Sequence, residues 1–451
     1  MVRRLSQRLY TNQTGRRETS KTRRFSDGIL SVFRGGTTQW CDVYHTPLHK
    51  SDGAKRNEQD KAFLRWNTFR ISRRNNAVVR RLSEAHQLGG LYVMAKLRVG
   101  VVGGTGMVGQ RFITLLENHP YFDLTCIAAS ASSAGKTYEE AVAGRWNMKT
   151  PIPEMAKKLV VKDASDIEGV KADVDFILCA VNMKKEEIMA LEEAYAKAEV
   201  PVVSNNSAHR KTPDVPMVIP EINNDHIEVI KYQKERLGTK KGFIAVKPNC
   251  SIQSYVPFIT PLLKYKPTNV VVSTYQAISG AGKTFESWPE MIDNVIPYIG
   301  GEEEKSEKEP MKVWGHIENG VIVDKKDMTI TSQCIRVPVT DGHLATVFIS
   351  FENKPSKEEI LEAWNNYSGR PQELELHTAP KKFLTYFEED NRPQTGTDRD
   401  LEGGMGVSAG RLREDSLFDY KFVGLSHNTL RGAAGGSLLL AELLYKEGYL
   451  Y

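Results

Sequence analysis

Apolar and polar positions follow three rhythms along this chain. Through about Val93 there is little sustained periodicity, so no element is predicted there and the segment is read as mostly disordered. From Lys96 the pattern tightens. Leu97-Arg98-Val99-Gly100-Val101-Val102 reads as a buried-type strand, followed by a glycine string from Gly103 to Gly109 and an amphipathic run over 110–118. Further strands are predicted at 124–129, 174–181 and 202–205, with a charged, alanine-rich helix at 184–198. Strands alternating with helices predict right-handed crossovers and a mostly parallel sheet.

Beyond Cys250 the rhythm changes again. Residues 270–277, 328–339 and 343–351 are long, alternating and β-branched, with helices expected at 288–299 and 356–366. This predicts an α+β unit with a largely antiparallel sheet. Residues 383–405, with their acids, Pro393 and glycines, read as an exposed loop or an oligomer contact. Gly432-Ala433-Ala434-Gly435-Gly436-Ser437 then leads into a final apolar helix at 438–444. The expected organisation is an extension over 1–93, an α/β Rossmann-type dinucleotide-binding domain over 94–247 and an α+β domain over 248–424. A closing helix, 425–451, returns to the first domain.

Strand, glycine turn, helix is the order a dinucleotide site needs. Gly103 suits the tight turn, Gly106 lets backbone approach a pyrophosphate, and Gly109 lets helix pack on strand. After the second strand comes Ser130-Ala131-Ser132-Ser133-Ala134-Gly135-Lys136, where NAD-preferring folds usually carry an acid. Hydroxyls and a lysine there predict NADP rather than NAD. In Lys247-Pro248-Asn249-Cys250-Ser251 a thiol follows a Pro-Asn turn and is expected to open a helix, whose free N–H groups and dipole would stabilise a thiolate. Taken alone, Cys250 reads first as a small buried hydrophobe, and only what surrounds it in the sequence reverses that. Pro257 and Pro261 are expected to kink or end that helix beyond its first turn.

Charge matters only once it is divided by position. The chain of 451 residues has a net charge of +5, but residues 1–95 hold 19 Lys and Arg against 7 Asp and Glu, which leaves −7 on the rest. A globular part without positive excess argues against nucleic acid as a partner. The basic extension resembles an organelle-targeting peptide in its first residues; alternatively it is an upstream stretch never made, with synthesis starting at Met94, or a basic binding tail. No apolar run is long enough to span a membrane. Five scattered cysteines, without a Cys-x-x-Cys pair, predict neither a disulfide framework nor a zinc site and fit a reducing compartment, the cytoplasm or an organelle.

The chain from Met94 onward resembles the aspartate-semialdehyde dehydrogenase family, in its fungal and archaeal branch. The resemblance rests on the glycine string, on Pro248-Asn249-Cys250-Ser251, on Gln276 in Tyr-Gln-Ala-Ile-Ser-Gly-Ala-Gly, and on Arg336-Val337-Pro338-Val339-Thr340-Asp341-Gly342-His343. It implies NADP-dependent reductive dephosphorylation of aspartyl phosphate to aspartate semialdehyde, toward threonine, methionine and in some organisms lysine, by a homodimer or homotetramer. Cys250 would be the nucleophile, His343 the acid/base and Gln276 the group orienting the acyl carbonyl. Arg336 would take the substrate carboxylate, Glu302 its ammonium, and Lys305 and Arg210 the phosphate. Asn249 and Asn428 would lie near the substrate and nicotinamide. Gly103, Thr105, Gly106, Met107, Val108, Ser130, Ser132 and Ser133 would hold the cofactor. Two rivals remain: N-acetyl-γ-glutamyl-phosphate reductase, with the same thioester logic and a longer substrate, and a non-catalytic nucleotide-binding protein.

Overall fold

A computed structural model of the chain describes residues 95–451. The extension over 1–93 and the readings attached to it lie outside those residues.

The first unit opens with β1 (Leu97–Val102), α1 (Met107–Leu115) and β2 (Phe122–Ala129), then β3 (Lys162–Asp163) and β4 (Phe176–Cys179). It continues through α2 (Lys185–Lys197), β5 (Val202–Ser204), α3 (Ile230–Leu237) and β6 (Ile244–Val246), numbering the longer helices only. Its strands lie in the order β3-β2-β1-β4-β5-β6, all parallel. That is the doubly wound order, whose switch point between β1 and β4 forms a crevice at the strand ends. The glycine turn sits there.

Two glycines of the turn are forced by geometry. Gly103 has φ +91, and a Cβ on it would lie 2.3 Å from the Ala180 carbonyl oxygen. A Cβ on Gly109 would lie 2.2 Å from the Gly103 oxygen, which fixes how closely α1 rides on β1.

The second unit comprises β7 (Pro267–Gln276), α4 (Glu302–Val313), a hairpin of β8 (His316–Glu318) and β9 (Val321–Val323), β10 (Thr329–Arg336) and β11 (His343–Phe351). After α5 (Lys357–Asn365) come β12 (Leu384–Phe387), β13 (Val407–Glu414) and β14 (Tyr420–Ser426). The sheet order is β10-β7-β11-β14-β13-β12. The three inner pairings are antiparallel, as expected, but both edge pairings, β10 with β7 and β12 with β13, are parallel, so the sheet is mixed.

Alternation positions the site. On β7 the inward residues are Val270, Val272, Thr274 and Gln276; on β10 they include Ile330, Cys334 and Arg336; on β11 they run from His343 through Ala345, Val347 and Ile349. Each inner face is mainly apolar and ends in one polar group at the same edge. Over it pack Ile252, Tyr255, Val256, Phe258, Ile259 and Leu262, each fully buried apolar side chain contributing about 2 kcal/mol.

Three expected elements differ. No regular helix follows Cys250: a 3-10 turn over Ser251–Ser254 gives way to one α-helical turn, Val256–Ile259, and another 3-10 stretch, Thr260–Tyr265, as Pro257 and Pro261 remove donors. No helix spans 288–299. Only Pro289–Met291 turn, and the chain then extends so that Ile296 exchanges backbone hydrogen bonds with Arg336. Ile292, Val295 and Tyr298 stay exposed, so their apolar spacing is not buried against this chain as a helical face. Residues 383–405 begin with a buried Phe383 and the edge strand β12 rather than a loop throughout.

The last helix, α6 (Gly435–Lys446), buries Leu438, Leu439, Leu440, Leu443 and Leu444 in one cluster with Val99 and Val101 of β1 and Phe112 and Ile113 of α1. Among the described residues no helix is long and apolar enough to cross a membrane.

Candidate active site

The crevice above the glycine turn and the polar edge of the second sheet open into one pocket of about 220 Å³. It is lined by Val108, Arg210, Asn249, Cys250, Glu302, Lys305 and Asn428, with Asn205, Ser207, Ser279, Gly280, Thr429, Gly432 and Ala433.

Cys250 is half-buried, and its Sγ lies 3.4 Å from His343 Nε2. His343 Nδ1 accepts the Ala277 N–H at 3.1 Å. That acceptor role places the ring proton on Nε2, facing the sulfur. Burial first, and the Arg336 charge second, push the imidazole down to about 3, so the ring is neutral at ordinary pH rather than poised near its usual value.

Burial also pushes the Cys250 thiol up, and Glu302 adds to this, while Lys247, Arg210 and Arg336 pull the other way without prevailing. The thiol's activation therefore differs from the sequence expectation. With only a 3-10 turn behind it the dipole is slight, and the charges that favour a thiolate are three cations. Gly432 forms the opposite wall; a Cβ there would sit 2.7 Å from Cys250 Cβ. It lies in a wide turn, Leu430–Ala434, in which Gly432 and Ala434 N–H reach back five residues to His427 and Thr429.

Helix α4 presents a polar face into this site. Glu302 accepts from Lys305 Nζ at 2.7 Å, from Asn249 Nδ2 at 3.0 and 3.1 Å, and from Gln276 Nε2 at 3.3 Å. Burial pushes its carboxyl up, but Lys305 and the amide donors more than offset this and hold it below the usual carboxylate range. Asn249 Oδ1 accepts from the Ser251 N–H and hydroxyl at 2.7 and 2.6 Å, the local bond that turns the chain at the thiol. Its Oδ1 is thus committed to the loop and its Nδ2 to Glu302, while the residue itself lines the pocket.

Arg336 donates Nη1 to the Ala277 carbonyl and makes no ion pair among the described residues, though only 6 % exposed. A buried, unpaired guanidinium is an open place for an anion. Arg210, by contrast, pairs with Glu309 at 3.0 Å.

At the cofactor end, Asn428 accepts the Gly342 N–H at 2.8 Å and donates to Ser279 at 2.8 Å. Helix α1 has no side-chain cap at Gly106, so its first-turn N–H groups have no side-chain acceptor; Val108 of that turn lines the pocket, and Thr105 and Met107 are half-buried next to it in the chain. A Cβ on Gly106 would meet nothing closer than 3.5 Å within the protein, so the space it leaves suits a bound pyrophosphate. Ser130 and Ser132 are exposed at the end of β2 and Lys136 Nζ donates to the Ser132 carbonyl at 2.9 Å, leaving cation and hydroxyls at the surface. Ser133 differs: its side chain is buried, turned away from that face. The residues present fit a phosphorylated dinucleotide. Sequence reasoning missed Glu309 and gave no role of their own to Lys247, named only within the thiol's turn, or to Gly432, named only within the run leading to the last helix; the spacing of Glu309 from Glu302, two turns on one helix face, could have signalled it.

Residues 98–230 match the family described as semialdehyde dehydrogenase, NAD binding domain, and 259–431 the semialdehyde dehydrogenase, dimerisation domain. The chain is 41% identical over 364 residues to an aspartate-semialdehyde dehydrogenase of Aspergillus fumigatus, covering 79% of this chain and 99% of the relative. One from Methanothermobacter thermautotrophicus is 42% identical over 351 residues, covering 77% and 99%. The crystal structure of aspartate semialdehyde dehydrogenase with NADP from Candida albicans superposes with a TM-score of 0.71 at 36% identity, covering 79% of this chain and all of that one.

Proposed function

This chain belongs to the aspartate-semialdehyde dehydrogenase family, and from that premise we propose that it catalyses the reversible, NADP-dependent reductive dephosphorylation of L-aspartyl 4-phosphate to L-aspartate 4-semialdehyde. The observation that carries this reading is the Cys250–His343 contact of 3.4 Å beside the unpaired guanidinium of Arg336.

The acyl phosphate lies with its α-carboxylate on the planar fork of Arg336 and its ammonium toward Glu302. Cys250 attacks the acyl carbon as thiolate; the C–O bond breaks, and the phosphate leaves toward Arg210 and Lys305, giving a cysteine thioester. The glycine turn with Ser130 and Ser132 would hold NADPH, which would supply the hydride when bound. The tetrahedral alkoxide on Cys250 then expels the thiolate and releases the aldehyde, a collapse that needs no net proton. Nε2–H of His343 donates to the alkoxide and to the returning thiolate. For this ring to take up a proton itself, the Ala277 N–H···Nδ1 bond must open. Gln276 and Asn428 border the reacting groups.

The enzyme acts as a homodimer or dimer of dimers, supported by the dimerisation family matched over 259–431. Free Cys126, Cys179, Cys250 and Cys334 suit the reducing cytoplasm. Buried Glu302, an ammonium partner, favours the aspartyl substrate over an N-acetylated glutamyl one.

The test is phosphate-dependent reduction of NADP, and separately NAD, with aspartate semialdehyde, comparing the wild type with Cys250→Ser. Turnover with NADP that requires phosphate and vanishes in the variant is expected. Turnover that survives in the variant would remove Cys250 from the chemistry.

A further inference from the structure

Glu309 lies on α4 two turns beyond Glu302 and is 8 % exposed. Its two oxygens serve parts of the chain that are far apart in sequence. Oε1 accepts from Arg210 Nη1 at 3.0 Å, and Oε2 accepts from the Asn249 N–H at 2.5 Å, the peptide next to the nucleophile. Arg210 also donates Nε to the Lys247 carbonyl at 2.9 Å and Nη2 to the Asn205 carbonyl at 3.2 Å. Three of the five guanidinium N–H groups are thereby committed, which leaves one on each terminal nitrogen while Arg210 lines the pocket.

We infer that Glu309 is a positioning residue that couples the anion end of the pocket to the nucleophile: with one carboxylate it aims the remaining N–H groups of Arg210 at phosphate and fixes the loop that carries Cys250. This rests on the reading of Arg210 as a phosphate contact. A carboxylate is required because both partners are donors. An amide would satisfy one of them and set its own N–H against the other. The buried pair is moreover anchored to backbone on both sides, so disturbing it moves the loop as well as the cation.

The experiment is kinetic, on the full chain, with Glu309→Gln and Arg210→Met beside the wild type. Glu309→Gln is expected to raise KM for phosphate about tenfold and to slow iodoacetamide alkylation of Cys250 in the ligand-free enzyme about tenfold, the scale of one lost charge-assisted hydrogen bond. KM for NADP is expected to stay within about twofold on the same scale. A fall in kcat with KM for phosphate and alkylation rate unchanged would mean Glu309 only supports the fold, and the inference is overturned. Arg210→Met separates this from the underlying reading. If it leaves KM for phosphate unchanged, Arg210 is not the phosphate contact; if it raises KM while Glu309→Gln does not, only the coupling is wrong. Should Glu309→Gln not fold, Glu309→Asp, which keeps the charge on a shorter arm, is read for the same pair of effects.

Discussion

Arg336 and His343 stand seven positions apart in the chain and a whole strand apart in the sheet, because β7 runs between β10 and β11. Arg336 is in register with Gln276, and Leu344, next to His343, pairs with Tyr275 on the other side of β7. The strand end thus holds guanidinium, amide and imidazole in a row, and sheet order keeps their separation fixed. Arg336→Lys replaces a planar fork with a point charge where the guanidinium has no ion-pair partner among the described residues. KM for aspartate semialdehyde is expected to rise tenfold or more, roughly the loss of one arm of a bidentate contact, with kcat less affected. An unchanged KM would remove the carboxylate assignment.

His343 titrates far below an ordinary histidine, at about 3. In the unfolded chain it binds a proton at about 6.5, so between these values the unfolded state holds more protons and folding stability is lost as pH falls. Thermal melts from pH 7 to 4 should show a steeper loss for the wild type than for His343→Gln. Parallel slopes would contradict the depressed value.

Lys247 is buried and pushed down to about 7, by burial first and by Arg210 next. An unfolded lysine keeps its proton to about 10.5. Between about 7 and 10.5 the unfolded state therefore binds more protons and stability rises with pH. Lys247→Met should flatten that rise when melts at pH 7 and 9 are compared. The same substitution should move the inflection for Cys250 alkylation to higher pH, since Lys247 heads the charges that favour the thiolate.

Gly432→Ala brings a methyl to within 2.7 Å of Cys250 Cβ, so one of the two must move. A displacement near 1 Å at a nucleophile costs roughly a hundredfold in rate. Loss of kcat on that scale is expected while fluorescence titration still detects NADPH binding; full activity would mean the wall yields without moving the sulfur.

The parallel sheet and the strands of the second unit were legible because period and β-branching survive in the letters, and Gln276 falls on the buried face by simple alternation from Val270. Two kinds of feature were not. Residues 288–299 carry Ile292, Val295 and Tyr298 at a spacing that imitates a helical stripe, yet these side chains face outward, and the deciding interaction, Ile296 with Arg336, is forty residues away. The run from Glu302 to Glu309 has the composition of a solvated helix. Burial of Glu302, Ser306 and Glu309 on one face arises only when the Asn249 loop is laid across it. The burial of Lys247 was invisible for the same reason: its stem runs so close to Gly436 of the final helix that a Cβ there would lie 3.1 Å from Lys247 Cε.

The wall at Gly432 also sets a clock. Cys250 emerges from the ribosome long before the segment that walls it, and at about 5–20 residues per second the sulfur waits on the order of ten seconds or more for Gly432. A nascent chain passes through an interval in which the thiol is open to oxidants and alkylating metabolites on the side that Gly432 later closes. Damage there would be fixed before the protein had turned over once, so the yield of active enzyme, rather than its rate, should register stress during synthesis.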